Sequence, residues 1–186
     1  MAAHVCPWWM GYWLASPIRR WMVKPEELLA PYIREGMTVL EPGPGMGFFT
    51  LPIARMAGPQ GRVVAVDIQP RMLDGLRRRA AKAGLLARIE TRQVPSDSMK
   101  LDDLKGAVDF VLAFAVVHEL PSAEVFFHEA AAVLKPGGLL LLAEPVGHVH
   151  PEAFAIELEA ARQAGLQPIN GLKIRRSLTA LFRKNG

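Results

Sequence analysis

VLEPGPGMGFF, residues 39–49, places three glycines and two prolines between a short apolar run and the start of a helical pattern. Such residues are poor in helix and strand interiors, so together they mark a turn with a backbone task. Gly43 suits a sharp turn out of the strand. Gly45 removes a side chain where a ligand approaches the backbone, and Gly47 lets the next helix pack close to the sheet. Pro42 and Pro44 stiffen the turn, which lowers the ordering cost of binding. Pro52 is tolerated only in a first helical turn, so the helix is expected to begin near Gly47.

Outward from this turn, strand-length apolar runs alternate with helical patterns. Strands are expected at 38–42, 62–67, 89–94, 108–115 and 138–145, nearly continuous in hydrophobicity, as suits strands covered on both faces. The segment after the second strand has an apolar stripe of Met72, Leu73, Leu76, Ala80 and Ala83, with Asp74 spaced to pair with Arg78. A second stripe comprises Phe126, Phe127, Ala130, Val133 and Leu134, and Pro136-Gly137-Gly138 then stops that helix. A helix over 151–165 precedes weaker strand patterns near 166–174 and 177–183, which read as an edge hairpin. This alternation predicts an α/β fold, a doubly wound and mostly parallel sheet closed by an antiparallel C-terminal hairpin.

The chain has 186 residues, is 51% hydrophobic and 22% charged, and carries one cysteine. Those values suit a globular domain that needs no disulfide. No apolar run approaches the ~18–20 residues of a membrane span, so no membrane insertion is expected. The N-terminal stretch lacks a basic leader, and the expected location is cytoplasmic. A net charge of +4 fits either an anionic partner or an arginine-rich composition with none.

In a doubly wound sheet, ligands bind beyond the carboxyl ends of the strands. A P-loop would need a Lys after its last glycine, where Phe48-Phe49 stand, so nucleoside triphosphate hydrolysis is excluded. The G-x-G-x-G spacing departs from the dinucleotide fingerprint, which disfavours a nicotinamide-dependent reductase. Glu41 precedes the turn, and no basic group is expected beside it to meet a pyrophosphate. An ammonium-bearing ligand suits Glu41 better. Asp67 ends the second strand twenty residues after Gly47, where an acid usually accepts hydrogen bonds from ribose hydroxyls. A ribose plus a cationic group describes S-adenosylmethionine.

EPGPGMG (41–47), VVAVDIQPRML (63–73) and LKPGG (134–138) before an apolar strand resemble the class I S-adenosylmethionine-dependent methyltransferases, within them the small UbiE/Coq5-like group. The likeness runs from about residue 25 to the end. It implies a seven-stranded, Rossmann-like, three-layer α/β/α domain over residues 24–186, preceded by an aromatic segment at 1–23. Gly43, Gly45 and Gly47 would then border the methionine moiety and Glu41 would orient it. Asp67 would hold the ribose and Ile68 would pack on the adenine. Asp97 and Ser98 would meet the adenine edge, and backbone near Phe114 would meet the methionine ammonium.

Methyl transfer is an in-line displacement that depends on positioning and on exclusion of water. A neutral hydroxyl or amine acceptor also needs a group to take its proton. AVVHELP places His118 and Glu119 after the fourth strand, and AEPVGHVHP places Glu144, His148 and His150 after the fifth. His118 is the favoured base or orienting group; the alternative is a loop-capping role. His148 is a candidate acceptor contact, and no metal is expected because nothing completes a ligand set. Trp8, Trp9, Tyr12 and Trp13 would form an aromatic wall if the N-terminal segment crosses the site as a lid; packing on the domain body or a dimer contact would use the same residues. The expected reaction is methyl transfer to a small molecule. The alternatives are a nucleic-acid (RNA) methyltransferase, supported only by the basic charge, and a cofactor-binding protein without catalysis. One cysteine disfavours arsenite methylation, and the chain is expected to be a monomer or homodimer.

Overall fold

The computed structural model describes residues 23–171 and 173–186. The expected aromatic wall of Trp8, Trp9, Tyr12 and Trp13, and with it the lid, lies outside the described residues. Among those described, no helix is long and apolar enough to cross a membrane.

Seven strands form one sheet: β1 (Thr38–Pro42), β2 (Arg62–Asp67), β3 (Ile89–Gln93), β4 (Val108–Phe114), β5 (Leu134–Pro145), β6 (Leu166–Ile169) and β7 (Ser177–Lys184). Their order across the sheet is β3-β2-β1-β4-β5-β7-β6. The helices are α1 (Pro25–Leu29), α2 (Thr50–Met56), α3 (Pro70–Lys82), α4 (Ala123–Val133) and α5 (Pro151–Gln163). The expected α/β architecture is therefore present, with seven strands and an antiparallel C-terminal pair. The chain divides into two compact units, one ending at Val94 and one running from Pro95 to Gly186.

In the first unit, β1, β2 and β3 pair in parallel, with Val39 beside Val63 and Val64 beside Glu90. Val63, Val64, Ala65 and Val66 are all buried, as short β-branched runs covered on both faces should be. α3 buries Met72, Leu73, Gly75, Leu76 and Ala80. The expected stripe loses Ala83, which caps the helix and is exposed, because the helix has already ended at Lys82. Asp74 pairs with Arg77, at 2.7 Å, and not with Arg78. Arg77 is drawn there because its Nε also donates to Thr91 Oγ1 at 2.7 Å, which holds the guanidinium toward β3.

In the second unit, β4 and β5 are parallel while β5–β7 and β6–β7 are antiparallel. Phe127 of α4 packs on Phe182 of β7 with ring centroids 6.3 Å apart, and both are fully buried. β5 begins at Leu134, earlier than the expected residue 138, so Leu134 belongs to the strand and not to the α4 stripe. Val108 pairs with Leu134 and Phe110 with Leu139, so Lys135-Pro136-Gly137-Gly138 is carried as a bulge. β6 stops at Ile169, short of the expected 174. It is the edge strand, and Pro168, which has no N–H to donate, is tolerated there.

Candidate functional site

The glycine turn belongs to the first unit. Glu41, 4% exposed, stands on β1 in register with Ala65. The Gly43 N–H donates to the Val66 carbonyl at 2.9 Å and the Gly47 N–H to the Pro44 carbonyl at 3.0 Å, which closes the loop over Gly45. Gly45 has φ +54°, and a Cβ built there would meet no atom within 4 Å. The backbone at Gly45 thus borders open space that a side chain would fill.

Three expectations for this turn need correction. Gly47 has φ +85°, which an α-helix cannot contain, so α2 starts at Thr50 with Phe49 capping it and Pro52 as its third residue. The close approach at Gly47 is to α3 and not to the sheet: a Cβ would lie 2.5 Å from Leu76 Cδ1. At Gly75 of the same helix, a Cβ would lie 2.8 Å from Met46 Cγ, so small residues on both sides let α3 lie against the turn. The third correction concerns charge. Arg79 of α3 donates to the Met46 carbonyl, so a basic group does stand at the turn. Its position three residues after Leu76, on the edge of the buried stripe, was the available signal.

Asp67 ends β2 half-buried, in register with Gln93. Its Oδ1 accepts the Gln69 N–H at 2.9 Å, and this short turn presets the carboxylate's orientation. Ile68 beside it is also half-buried. An open backbone cradle at Gly45, a buried acid at Glu41 and an oriented acid at Asp67 fit an adenosyl sulfonium ligand, which presents hydroxyls and cationic groups.

The second cluster belongs to the second unit. β4 ends at half-buried Phe114. Ala115 follows with φ +55°, uncommon for a residue with a side chain, and its N–H donates to the Ala143 carbonyl at 2.7 Å. Val117–Glu119 then form one 3₁₀ turn, with Glu119 half-buried. Glu144, fully buried on β5, takes the N–H of Val117 at 2.8 Å and of Val116 at 3.3 Å on Oε1. Its Oε2 bonds to His118 Nδ1. A carboxylate accepts there, so Nδ1 carries the hydrogen and Nε2 keeps the lone pair. The exposed His148 sets its ring edge-on to His118, centroids 5.7 Å apart.

Burial pulls the His118 pKa down, but the hydrogen bond and charge of Glu144, with Glu119 and Glu157 adding to them, carry it above its ordinary 6.5. Glu157 of α5 is absent from the expected set. It is 6% exposed, and its Oε2 is buried without a hydrogen-bond partner among the described residues. Burial, then the charge of Glu144, push its carboxyl up to about 7, against the opposing pull of His118. Phe154, Glu157 and Ala161 are spaced as one helical stripe, so an acid at the centre of an apolar face was its signal in the sequence.

Asp97 is exposed in the loop after β3. Ser98 gives its hydroxyl to Glu129 of α4, whose other oxygen takes the Met99 N–H at 2.7 Å. Among the described residues, no three His, Cys, Asp or Glu side chains are grouped to hold a metal ion.

A seven-stranded sheet of this order, with a glycine turn after β1 and an acid at the end of β2, defines the Rossmann-like fold of class I methyltransferases. The methyltransferase domain family matches residues 39–138. Over 132 residues the chain is 32% identical to a ubiquinone biosynthesis O-methyltransferase of Methylocella silvestris, covering 71% of this chain and 49% of that protein. It is 33% identical over 117 residues to the ubiquinone/menaquinone biosynthesis C-methyltransferase UbiE of Brucella canis, covering 62% and 42%. It thus spans about half the length of these curated relatives. A solved S-adenosylmethionine-dependent methyltransferase from Aquifex aeolicus superposes with a TM-score of 0.83 at 26% identity, covering 96% of this chain and 98% of that one. The chain belongs to the methyltransferase domain family, in its UbiE-like group, and S-adenosylmethionine is the cofactor of that family.

Proposed function

We propose that the chain transfers a methyl group from S-adenosylmethionine to a small phenolic or quinol-type acceptor, with His118 taking the acceptor's proton. The observation that carries this reading is the bond from His118 Nδ1 to a fully buried Glu144, which fixes the tautomer and leaves Nε2 as the basic atom. The acceptor class follows the names of the two relatives, one an O- and the other a C-methyltransferase of quinone biosynthesis. Deprotonation of a phenol serves either outcome: a phenolate attacks the methyl carbon through oxygen to give the ether directly, or through its ortho ring carbon, whose hydrogen then leaves as a proton to restore the aromatic ring, with S-adenosylhomocysteine released in both cases.

Glu41, Gly43, Gly45 and Gly47 hold the amino-acid end of the cofactor in this reading, while Asp67 and Ile68 hold its ribose and adenine. The bound cofactor supplies an electrophilic sulfonium methyl. A phenol with a pKa near ~10 keeps its proton at neutral pH, so direct attack by the hydroxyl is poor. Glu144 stabilises the imidazolium that forms as Nε2 takes that proton, and Glu119 adds a second negative charge nearby. His148, whose ring stands edge-on to His118, provides a ring surface for a planar acceptor.

The test is transfer of labelled methyl from S-adenosylmethionine to catechol, to a hydroxyquinol and to total RNA. Labelling of the phenols is expected. His118→Asn should lower kcat by about 10²–10⁴-fold, with S-adenosylhomocysteine affinity kept within about twofold. Labelling of RNA alone, or an undiminished kcat in the variant, defeats the reading.

A further inference from the structure

We propose that Glu157 is a positioning acid of this site: buried without a partner, it holds its proton in preference to Glu144, and its charge state sets the strength of His118 as a base. The inference rests on the reading of His118 given above. It begins from a carboxyl group placed where an apolar side chain is expected, on the buried stripe between Phe154 and Ala161, with Oε2 sealed from water and without a hydrogen-bond partner among the described residues. A buried carboxyl in that state costs several kcal/mol if ionised, and far less if it keeps its proton.

The connection from β5, which carries Glu144, to α5, which carries Glu157, is short. Both the His148 and Val149 N–H groups donate to the Pro145 carbonyl, at 2.9 and 3.0 Å, so the chain folds tightly between the end of β5 and the start of α5. Val149 is buried in that turn, and His148 packs its ring on His118. The charges acting on Glu157 are Glu144 on β5 and His118 in the turn after β4. On α4, which packs on α5, the titratable groups are Glu124, His128 and Glu129, the last occupied by Ser98 and Met99. β6 carries none. β7 carries Arg183 and Lys184, and Lys184 donates to the Leu134 carbonyl at 2.8 Å. Among the described residues, no lysine or arginine acts on Glu157 in return for its burial.

Two carboxyl groups that repel one another cannot both ionise cheaply in a buried site. Glu144 has two backbone N–H donors and His118, so it takes the charge. Glu157 has none of these and takes the proton. While it is neutral, His118 feels the charges of Glu144 and Glu119; once it ionises, His118 feels a third and holds its own proton more tightly. The two groups therefore titrate as a coupled pair. Glu157 acts on the acceptor only through the imidazole.

The experiment is NMR titration of the full chain, following the Glu157 side-chain carboxyl carbon and the His118 imidazole in wild type, and the imidazole again in Glu157→Gln. In wild type, the Glu157 carbon is expected to titrate near neutrality, and the His118 curve to be broadened by the coupling. In E157Q the His118 curve should become a single step moved about 0.5 unit or more to lower pH, and the rising limb of kcat/KM should move with it. A Glu157 carbon titrating in the ordinary range near ~4.3 overturns the proposal. So does an unmoved His118 curve in folded E157Q. The wild-type carbon titration needs no variant, so a misfolded E157Q leaves the proposal testable. If the NMR shifts appear but His118→Asn retains turnover, it is the assignment of the base that fails, and the coupling stands.

Discussion

Gly47→Ala and Gly45→Ala separate the two tasks of the glycine turn. Both positions have left-handed backbone, at φ +85° and +54°, so each substitution pays about 1–2 kcal/mol for placing a Cβ there. At Gly47 the new Cβ would also lie 2.5 Å from Leu76 Cδ1, against an ordinary carbon–carbon separation of about 3.5–4.0 Å. Leu76 is fully buried on α3, so overpacking adds about 1–3 kcal/mol. The expected loss is then about 2–5 kcal/mol for Gly47→Ala against about 1–2 for Gly45→Ala. With a urea slope of about 2 kcal/mol/M, the first moves the midpoint by roughly 1–2.5 M and the second by less than about 1 M. Calorimetry with S-adenosylhomocysteine should rank them the other way. The Gly45 Cβ enters the open cradle and should abolish binding, whereas Gly47→Ala below its urea transition should retain most of it. In a double-mutant cycle with Leu76→Ala, the Gly47→Ala penalty should shrink by at least about 1 kcal/mol. Equal destabilisation by the two substitutions, or wild-type affinity in Gly45→Ala, would refute the reasoning.

Two further predictions concern the acids. Asp67→Asn should weaken S-adenosylhomocysteine binding by about 1–3 kcal/mol, roughly 5- to 150-fold, because a charged acceptor for hydroxyl donors is lost. Its urea midpoint should barely move, since the Asn oxygen can still accept the Gln69 N–H; less than twofold weaker binding would remove Asp67 from the ribose role. The second prediction is a stability that falls as pH rises. Glu157 is raised from 4.5 to about 7 and His118 is raised above 6.5, so in both cases the folded chain holds a proton that the unfolded chain has lost. The Glu157 contribution fades from about pH 4.5 upward through its folded value. The His118 contribution is full below 6.5 and fades as pH rises through its own raised value. Glu157 accounts for about 1–2 kcal/mol between pH 5 and 8, after discount for residual solvent contact. Urea midpoints measured over that range should slope downward in wild type and much less in Glu157→Gln; parallel slopes would contradict the burial of an uncompensated carboxyl.

What the sequence disclosed was governed by how far each signal reaches along the chain. The glycine turn and Asp67 are encoded locally: turn residues at fixed offsets, then an acid at the end of the next apolar run, with β1 and β2 found at the expected residues. The helix start was misplaced because positive φ at Gly47 is invisible in a pattern of residue types. β5 was begun late because Pro136-Gly137-Gly138 reads as a stop, and only pairing with β4 shows it to be a bulge.

The same distinction explains which charged groups were overlooked. Arg79 and Glu157 sit among helical residues whose charges are ordinarily solvated, and composition ranks them with Arg78 and Glu159. Both lie at the edge or centre of an apolar stripe, and a stripe position has meaning only once its opposite face is known. For Arg79 that face is the Met46 carbonyl, and for Glu157 it is a cluster already holding one buried carboxylate. A charged residue at a buried stripe position carries a solvation debt that something in the fold must meet. Arg79 meets it with a carbonyl. Glu157 has no such partner among the described residues, and the remaining way to meet it is to keep its proton, which ties its protonation to that of His118.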